Sequence, residues 1–237
     1  MAGTVVNAIG NSVTADLMME AKELTIGGLV GLGYFGIIER NSVRATILVQ
    51  NALRVTVGML AGGVSSSKVM NNLVASSVMN VSLTIPTTVT SSIGGMVGGV
   101  SYNSTLTNNL IYADYYIMSV NPINMSPFVG SMSSSAKNPA HLENNLFSGE
   151  INVINYVATT FQLLPSTASN AIVSNDFFTE RTNIFVNSDQ VLIDGEYLVS
   201  VSSENDGSLY ASMSFDPLIW DFSSLNVLFG VYPTIRP

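Results

Sequence analysis

The sequence predicts a mainly β protein, antiparallel and sandwich-like or barrel-like, with one to three helices in the first 80 residues. Three observations predict this class. Hydrophobic residues make up 47% of the chain, which is too apolar for an intrinsically disordered protein. The length of 237 residues suits a single large β domain. Short segments of alternating apolar and polar residues are separated by turn-forming residues, as in sandwiches and barrels.

The predicted helices lie near the start of the chain. Residues 15–24 follow a candidate N-cap at Thr14 and carry an apolar stripe, which predicts a short amphipathic helix within an N-terminal arm of residues 1–25. Residues 42–61 fit a helical period but are rich in β-branched side chains, so a helix is favoured and a strand stays open. A further short helix is predicted at 68–79.

The remaining residues, 26–237, are predicted to form one β-rich domain, charge-neutral to about residue 118 and acidic from residue 119 onward. Its clearest hairpin is predicted from Tyr197–Ser202 and Ser208–Phe215, where apolar residues alternate with polar ones on either side of a turn. Further strands are predicted at 78–85, 110–120, 151–164, 182–186 and 225–232.

The chain carries few charges. Eight residues are Lys or Arg and sixteen are Asp or Glu, and none of them lies between Lys68 and Asp114. An ordinary soluble domain is about one quarter charged. Ser, Thr and Asn take the place of charged residues, and they can be buried in a contact without the desolvation cost of an ion. This composition predicts extensive contacts with copies of the same chain.

The second half of the chain holds the whole excess of acidic residues. Residues 119–237 contain three basic and eleven acidic groups, and the chain as a whole has a net charge of −8. An acidic surface repels phosphate, so we expect no specific nucleic-acid binding. The absence of cysteine excludes disulfides, thiolate metal sites and cysteine nucleophiles.

Two motifs could indicate chemistry, and neither is convincing. Gly31, Gly33 and Gly36 match the spacing of a dinucleotide-binding loop, but no acidic residue follows at the distance that would hold a ribose. His141 is the sole histidine, which is insufficient for a histidine metal site, and no serine elbow accompanies it as a catalytic partner. We therefore predict no cofactor.

Acidic pairs in the second half could bind Ca²⁺ or act as acid and base. Asp is also common in turns, because its side chain bonds to the nearby backbone. We favour the turn interpretation and predict no catalytic, cofactor-binding or metal-binding residues, and no enzyme activity. The pairs are Asp194 and Glu196, Glu204 and Asp206, and Asp216 and Asp221.

Two glycine-rich apolar segments resemble each other, Ile26–Gly33 and Ile93–Val100. They could be close-packed or mobile contact loops, or ordinary glycine-rich connections. The longest apolar run, Ile26–Ile38, is shorter than the roughly 20 residues of a membrane-spanning helix, so no membrane span is expected. The first residues lack the features of a secretory signal.

These observations predict a self-assembling structural subunit of a virus particle, assembled in the host cytoplasm from copies of itself and other virion proteins. A bacteriophage tail-tube protein comes first, with an acidic lumen through which DNA would slide. A capsid shell or cement protein comes second, and a surface adhesin or fibre subunit is the alternative. The residues expected to cluster on the acidic surface are Asp189, Asp194, Glu196, Glu204 and Asp206.

Overall fold

The computed structural model is a β-solenoid of about five turns built from parallel strands. Each turn of the chain, called a coil here, adds strands to sheets that run the length of the solenoid. The structure describes residues 5–133, 135, 137–155, 159–163, 171–226 and 231–236.

Strands of successive coils follow one another in chain order. The first two coils contain β1 (Val5–Ile9), β2 (Ser12–Met19), β3 (Glu23–Gly27), β4 (Val30–Glu39), β5 (Ser42–Gln50) and β6 (Arg54–Gly58). The third and fourth contain β7 (Ala61–Ser65), β8 (Lys68–Met70), β9 (Leu73–Leu83), β10 (Ser91–Gly94), β11 (Val97–Ser101), β12 (Thr105–Thr107), β13 (Leu110–Ser119) and β14 (Ile123–Ser126).

The later part of the solenoid is more irregular. It contains β15 (Val129–Ser133), β16 (His141–Glu143), β17 (Leu146–Ser148), β18 (Glu150–Asn155), β19 (Thr159–Phe161), β20 (Ile172–Ser174), β21 (Phe177–Thr179), β22 (Asn183–Val186) and β23 (Asp189–Gln190). A 3-10 helix (Gly195–Tyr197) then precedes β24 (Leu198–Val199), α1 (Val201–Asp206), α2 (Ser208–Ser212), β25 (Trp220–Asp221) and β26 (Thr234–Ile235).

Three sheets of the described chain form the walls of the solenoid. Sheet A contains β1, β4, β7, β8, β11, β12, β15, β16 and β20. Sheet B contains β2, β5, β9, β13, β17, β18, β21 and β22, with β23 and β24 at its end. Sheet C contains β3, β6, β10, β14 and β19.

The core is built from columns of apolar side chains in register. Residues alternate between the two faces of a strand, and parallel neighbours from adjacent coils bring equivalent positions together. In sheet B, Ile47 pairs with Met79, Met79 with Tyr115, and Tyr115 with Ile151, and all four are fully buried. Each such side chain contributes about 1.5–3 kcal/mol to the free energy of unfolding.

A ladder of side chains lies at the turn between sheets A and B. In each coil the ladder residue donates its backbone N–H and its Nδ2–H to Oδ1 of the next, over 2.8–3.1 Å. The residue before each has a positive φ, between 52° and 68°. The ladder consists of Asn11, Asn41, Asn72, Asn109, Asn145 and Asp176.

The glycine-rich segments lie at the corner where sheet C leads into sheet A. Ile26–Gly33 and Ile93–Val100 occupy this corner two coils apart. At Gly98, an added Cβ would lie 2.5 Å from the backbone nitrogen of Val57 and 2.6 Å from the carbonyl oxygen of Gly62. The segments are therefore close-packed corners, and glycine is needed there because two backbones approach one another.

The antiparallel sandwich-like or barrel-like prediction is wrong. Wall strands pair in parallel because their neighbours come from the preceding and following coils. Antiparallel pairing in the described residues is confined to a bridge between Ser135 and Asn138 and to short pairs from residue 185 onward. Alternating sequence cannot distinguish these arrangements, because a solenoid strand also buries one of its two faces.

The predicted early helices are wrong as well. Residues 15–24 span the end of β2 and the start of β3, residues 42–61 contain β5 and β6, and residues 68–79 contain β8 and part of β9. Pairing with adjacent coils satisfies backbone groups on both sides of β5, β6, β8 and β9 and on one side of β2 and β3, which end their sheets. The β-branched side chains pack in the columns of the core. In 42–61 the strand alternative was the right one.

The predicted hairpin from Tyr197 to Phe215 is also wrong, since this segment contains β24, α1 and α2. Ser200 caps α1 by accepting a hydrogen bond from the backbone N–H of Ser203, and Gly207 ends it in the left-handed conformation.

Two other predicted strands are confirmed. They are 110–120, observed as Leu110–Ser119, and 182–186, observed as Asn183–Val186. The prediction at 78–85 covers the second half of β9, and 151–164 covers most of β18 and all of β19. Residues 156–158 and 164 of the latter, and 227–230 of the strand predicted at 225–232, lie outside the described residues.

The C-terminal segment, residues 200–226 and 231–236, packs on the outside of sheet B. Its apolar side chains form a second hydrophobic cluster with outward-facing residues at the start of the sheet B strands. Within the described chain, no helix has the length and apolarity needed to cross a membrane. The cluster contains Leu73, Leu110, Tyr112 and Leu146 of sheet B with Leu209, Tyr210, Met213, Phe215 and Trp220 of the segment.

Candidate functional site

The part of sheet B that the C-terminal segment leaves open carries polar, acidic, aromatic and aliphatic side chains that face outward. Because side chains alternate along each strand, every second residue of β9, β13 and β18 points outward. We call these residues the sheet B face. They are Val78, Asn80, Ser82, Asp114, Tyr116, Met118, Glu150, Asn152 and Ile154.

The residues of the sheet B face lie in rows across the coils. Asn80 pairs with Tyr116, and Tyr116 pairs with Asn152. A second row places Met118 beside Ile154. Rows are about 6.5 Å apart along the strands, and members of one row are about 4.8 Å apart. The result is a small array of amide, hydroxyl, carboxylate, aromatic and aliphatic groups.

Two clefts lie on this face. The first has a volume of about 470 Å³ and is bordered by Asp114, Glu150, Arg181 and Tyr232. The second, of about 370 Å³, is centred on the rows that contain Tyr116. Both clefts use the same three strands, so they are neighbours on one surface.

Two carboxylates at the boundary between the clefts, Asp114 and Glu150, influence the pKa of Tyr116. Asp114 accepts a hydrogen bond from the backbone N–H of Glu150 over 2.8 Å, which fixes its carboxylate beside the next coil. Partial burial, followed by the negative charges of Glu150 and Asp114, raises the pKa of the Tyr116 hydroxyl. The phenol therefore stays protonated and can donate a hydrogen bond.

A polar network holds Arg181 at the edge of the first cleft. Its guanidinium contacts Glu204 at 3.5 Å and Ser148 at 3.2 Å. Burial raises the pKa of the Glu204 carboxyl, whereas the charge of Arg181 opposes that rise. Because Glu204 belongs to α1, this partly buried ion pair ties the C-terminal segment to the solenoid.

An aromatic pair forms the adjoining wall. Tyr232 stacks on Tyr112 with ring centroids 4.0 Å apart, and the Tyr112 hydroxyl lies 2.9 Å from that of Tyr210. Burial raises the pKa of Tyr112, and the Tyr210 and Glu204 groups add to the rise. The wall is therefore an aromatic surface on which the Tyr112 hydroxyl stays protonated.

The structure separates the residues that the sequence singled out. His141 is half-buried in β16 and pairs with Thr105 and Ile172, away from the sheet B face. Gly31 and Gly33 lie within strand β4 rather than in a phosphate-binding turn before a helix. No set of three His, Asp or Glu residues in the described chain could hold a metal ion.

The acidic pairs bond to nearby backbone groups. Asp194 accepts from the N–H of Glu196 at 3.3 Å, and Asp206 from that of Ser208 at 2.8 Å. Glu204 is fully buried, so it cannot line an acidic lumen.

The last pair also has local partners. Asp216 accepts from the backbone N–H of Leu218 at 2.8 Å, and Asp221 from that of Ser223 at 3.0 Å. Hydrogen bonds from Ser223, with a smaller effect of Arg236, lower the pKa of Asp221.

Two further cavities have fewer groups available to bind a ligand. One of about 500 Å³ brings Arg40 and Arg236 together, but each lies near a carboxylate, at 3.8 Å from Glu39 and 3.6 Å from Asp221. Another of about 310 Å³ lies along sheet A over Gly63 and Gly99 and has an uncharged lining.

Sequence reasoning missed both the ladder and the sheet B face. The sequence did contain a signal for the ladder. An Asn or Asp that directly precedes a sheet B strand recurs every 30 to 37 residues. The unequal coil lengths obscured this repeat. The sheet B face had no local signal, because Asp114 and Glu150 become neighbours only through pairing between coils 36 residues apart.

No protein-family model matches the chain, and no curated protein matches it significantly. Among solved structures, the chain is similar to a "putative immunoglobulin A1 protease" from Bacteroides ovatus, with a TM-score of 0.47 and 10% sequence identity. The similarity covers 96% of this chain and 75% of that one. Similarity at this level supports no inference about family or activity.

Proposed function

We propose that the protein is a non-catalytic binding protein that holds a carbohydrate chain on the sheet B face. This role belongs to the surface-adhesin class and not to the enzymes. The observation that carries the proposal is the in-register array of polar groups around Tyr116, a residue that is 39% exposed. The virion role expected from composition stays a prediction and receives no further support.

The chemistry of the sheet B face matches a polyol. Asn80 and Asn152 can donate and accept hydrogen bonds, as sugar hydroxyls do, while Asp114 and Glu150 can accept from them. The exposed ring of Tyr116 offers an apolar surface on which the C–H face of a sugar can rest. A polymer of repeating units also suits a surface on which equivalent positions recur from coil to coil.

Other extended ligands fit less well. Asp114 and Glu150 oppose an anionic backbone, and the chain as a whole has a net charge of −8. An extended peptide binds most readily by adding a strand at a sheet edge, whereas the clefts lie on a sheet face whose strands already pair on both sides.

Replacing Tyr116 by Ala should weaken glycan binding about fivefold or more, because an aromatic anchor at the centre of a site usually carries more than about 1 kcal/mol. Binding is measured by retardation of the full chain in gels that contain neutral, amino or acidic polysaccharides. We expect retardation by a neutral or amino polysaccharide and weaker retardation of the Tyr116→Ala variant.

Tyr102→Ala is the matched control, because Tyr102 is also exposed but follows β11 in sheet A. It should bind as the wild type does. The proposal fails if the wild type is retarded by none of the polysaccharides, or if both tyrosine variants lose binding equally.

Self-association is a second candidate, favoured by the exposed apolar side chains of the same face. Met118 and Ile154 are 40% and 41% exposed and lie side by side. Contiguous apolar surface of this kind often marks a protein contact. Light scattering coupled to size exclusion should then give a dimer or larger species for the wild type and a monomer for Ile154→Glu. A wild-type monomer at high concentration would exclude this candidate.

A further inference from the structure

The side-chain ladder ends, in the described part of the chain, on a carboxyl group instead of an amide. Asp176 is 1% exposed, and its Oδ1 accepts the backbone N–H and the Nδ2–H of Asn145, each over 2.8 Å. Its second oxygen, Oδ2, is buried and has no hydrogen-bond partner among the described residues. An ionised oxygen in such a position would lack the compensation that a buried charge requires.

The amides of the preceding coils indicate what Oδ2 faces. In each of them, Nδ2 also donates to the carbonyl three residues before the ladder residue of the preceding coil. The pairs are Asn41 with Ala8, Asn72 with Ile38, Asn109 with Val69 and Asn145 with Leu106, over 2.8–3.0 Å. The same geometry directs Oδ2 of Asp176 toward the carbonyl oxygen of Leu142. Two acceptors facing each other repel, unless a proton lies between them.

We propose that Asp176 carries a proton on Oδ2 in the folded protein and donates it to the carbonyl oxygen of Leu142. The protonated carboxyl thus reproduces the hydrogen bonds of an asparagine. Loss of this proton to water at higher pH leaves an uncompensated charge in the last rung, so Asp176 acts as a pH-sensitive switch in the fold.

The electrostatic surroundings of Asp176 support this proposal. Burial raises the pKa of its carboxyl from the ordinary 3.8 to about 7, the two hydrogen bonds from Asn145 oppose the rise, and the negative charge of Glu143 adds to it. On the other side, the segment that leads into β24 carries Asp194 and Glu196, both exposed. The charge that acts on Asp176 is thus the negative one of Glu143, which does not favour ionisation.

The sign of the pH effect follows from the raised pKa. The unfolded chain releases this proton near pH 3.8, and the folded chain keeps it until about pH 7. Stability from this group is therefore complete below pH 3.8 and is lost as the pH rises to about 7. Asp176 immediately precedes β21, and β21 pairs with β24, so the loss acts where the solenoid meets its C-terminal segment.

The test compares urea unfolding of the full chain and of Asp176→Asn across this pH range. The folding equilibrium constant of the wild type, relative to Asp176→Asn, should fall by roughly tenfold for each pH unit between about pH 4 and pH 7. The amide cannot ionise and can donate to Leu142, so the variant should be the more stable protein at pH 8. Asp16→Asn, an exposed change of the same charge at the opposite end of sheet B, should keep the wild-type profile.

A measurement on the wild type keeps the proposal testable if Asp176→Asn does not fold. In ¹³C NMR of Asp carboxyl carbons, one signal of the folded protein should remain in the protonated position at pH 5.5 and shift as the pH passes about 7. The proposal is overturned if all Asp carboxyls are ionised at pH 5.5. It is also overturned if Asp176→Asn folds but loses stability equally at every pH.

Discussion

Gly98→Ala is expected to lower the free energy of unfolding by about 3 kcal/mol or more, or to prevent folding altogether. An added Cβ would lie 2.5 Å from the backbone nitrogen of Val57, 2.6 Å from the carbonyl oxygen of Gly62 and 2.8 Å from the carbonyl carbon of Val57. These atoms belong to paired strands and cannot rotate away as a flexible side chain would. The effect is measured as a lower urea midpoint at an unchanged slope.

The adjacent glycine provides the matched control. A Cβ at Gly99 would meet Ser131 Oγ and Thr56 Cγ2, both at 3.4 Å, which is ordinary contact at the edge of van der Waals range. We therefore expect Gly99→Ala to change the free energy of unfolding by less than about 1 kcal/mol. Equal destabilisation by the two substitutions would show that the close approach of β6 and β11 does not decide the need for glycine.

The strand content was predictable where side chains alternate without interruption. Leu110–Ser119 places Tyr115 and Ile117 inward and Tyr116 and Met118 outward, and this period of two is visible in the sequence. Strand β2, near the N-terminus, was harder to predict. Leu17 and Met18 share the stripe of a helix, yet in β2 Leu17 faces the core while Met18 is 77% exposed. Pairing with β5 selects the strand period of two over the helical period of about 3.6 residues.

The parallel arrangement was not predictable from local pattern. Sandwich strands and solenoid strands each bury one face, and the difference lies in which residues pair. Here pairing joins residues one coil apart, and the separation varies from 30 to 37 residues along the ladder. Such variation blurs the repeat that would otherwise reveal a solenoid.

The candidate site depended on the same long-range pairing. Composition correctly drew attention to scarce charge and abundant Asn and Ser, but it could not separate buried from exposed members. Asn72 and Asn109 are enclosed in the ladder, whereas Asn80 lies on the sheet B face. Glu204, expected on an acidic surface, is instead buried beside Arg181. Burial had to be known before function could be argued.

Asn109→Ala is expected to cost about 4 kcal/mol, because it leaves several buried polar groups without partners at once. The backbone N–H and Nδ2–H of Asn72 lose their acceptor, and the carbonyl of Val69 loses the amide that donates to it. Thermal and urea unfolding of the variant should both report the loss. Asn183→Ala, which removes an exposed amide that donates to the carbonyl of Arg181 at a position of ordinary φ, should cost less than about 0.5 kcal/mol.

Asn109→Asp separates the role of the ladder from that of side-chain volume. Aspartate keeps the acceptor for Asn72, but its other oxygen would face the Val69 carbonyl and Oδ1 of Asn145, where the amide now donates. Both of these oxygens are acceptors and would repel the carboxylate. We therefore expect a loss of stability at pH 7 at least as large as that of Asn109→Ala. A smaller loss would mean that packing, and not hydrogen bonding, makes the ladder stable. Aspartate is thus suited only to the last rung, where no further Oδ1 follows in the described chain.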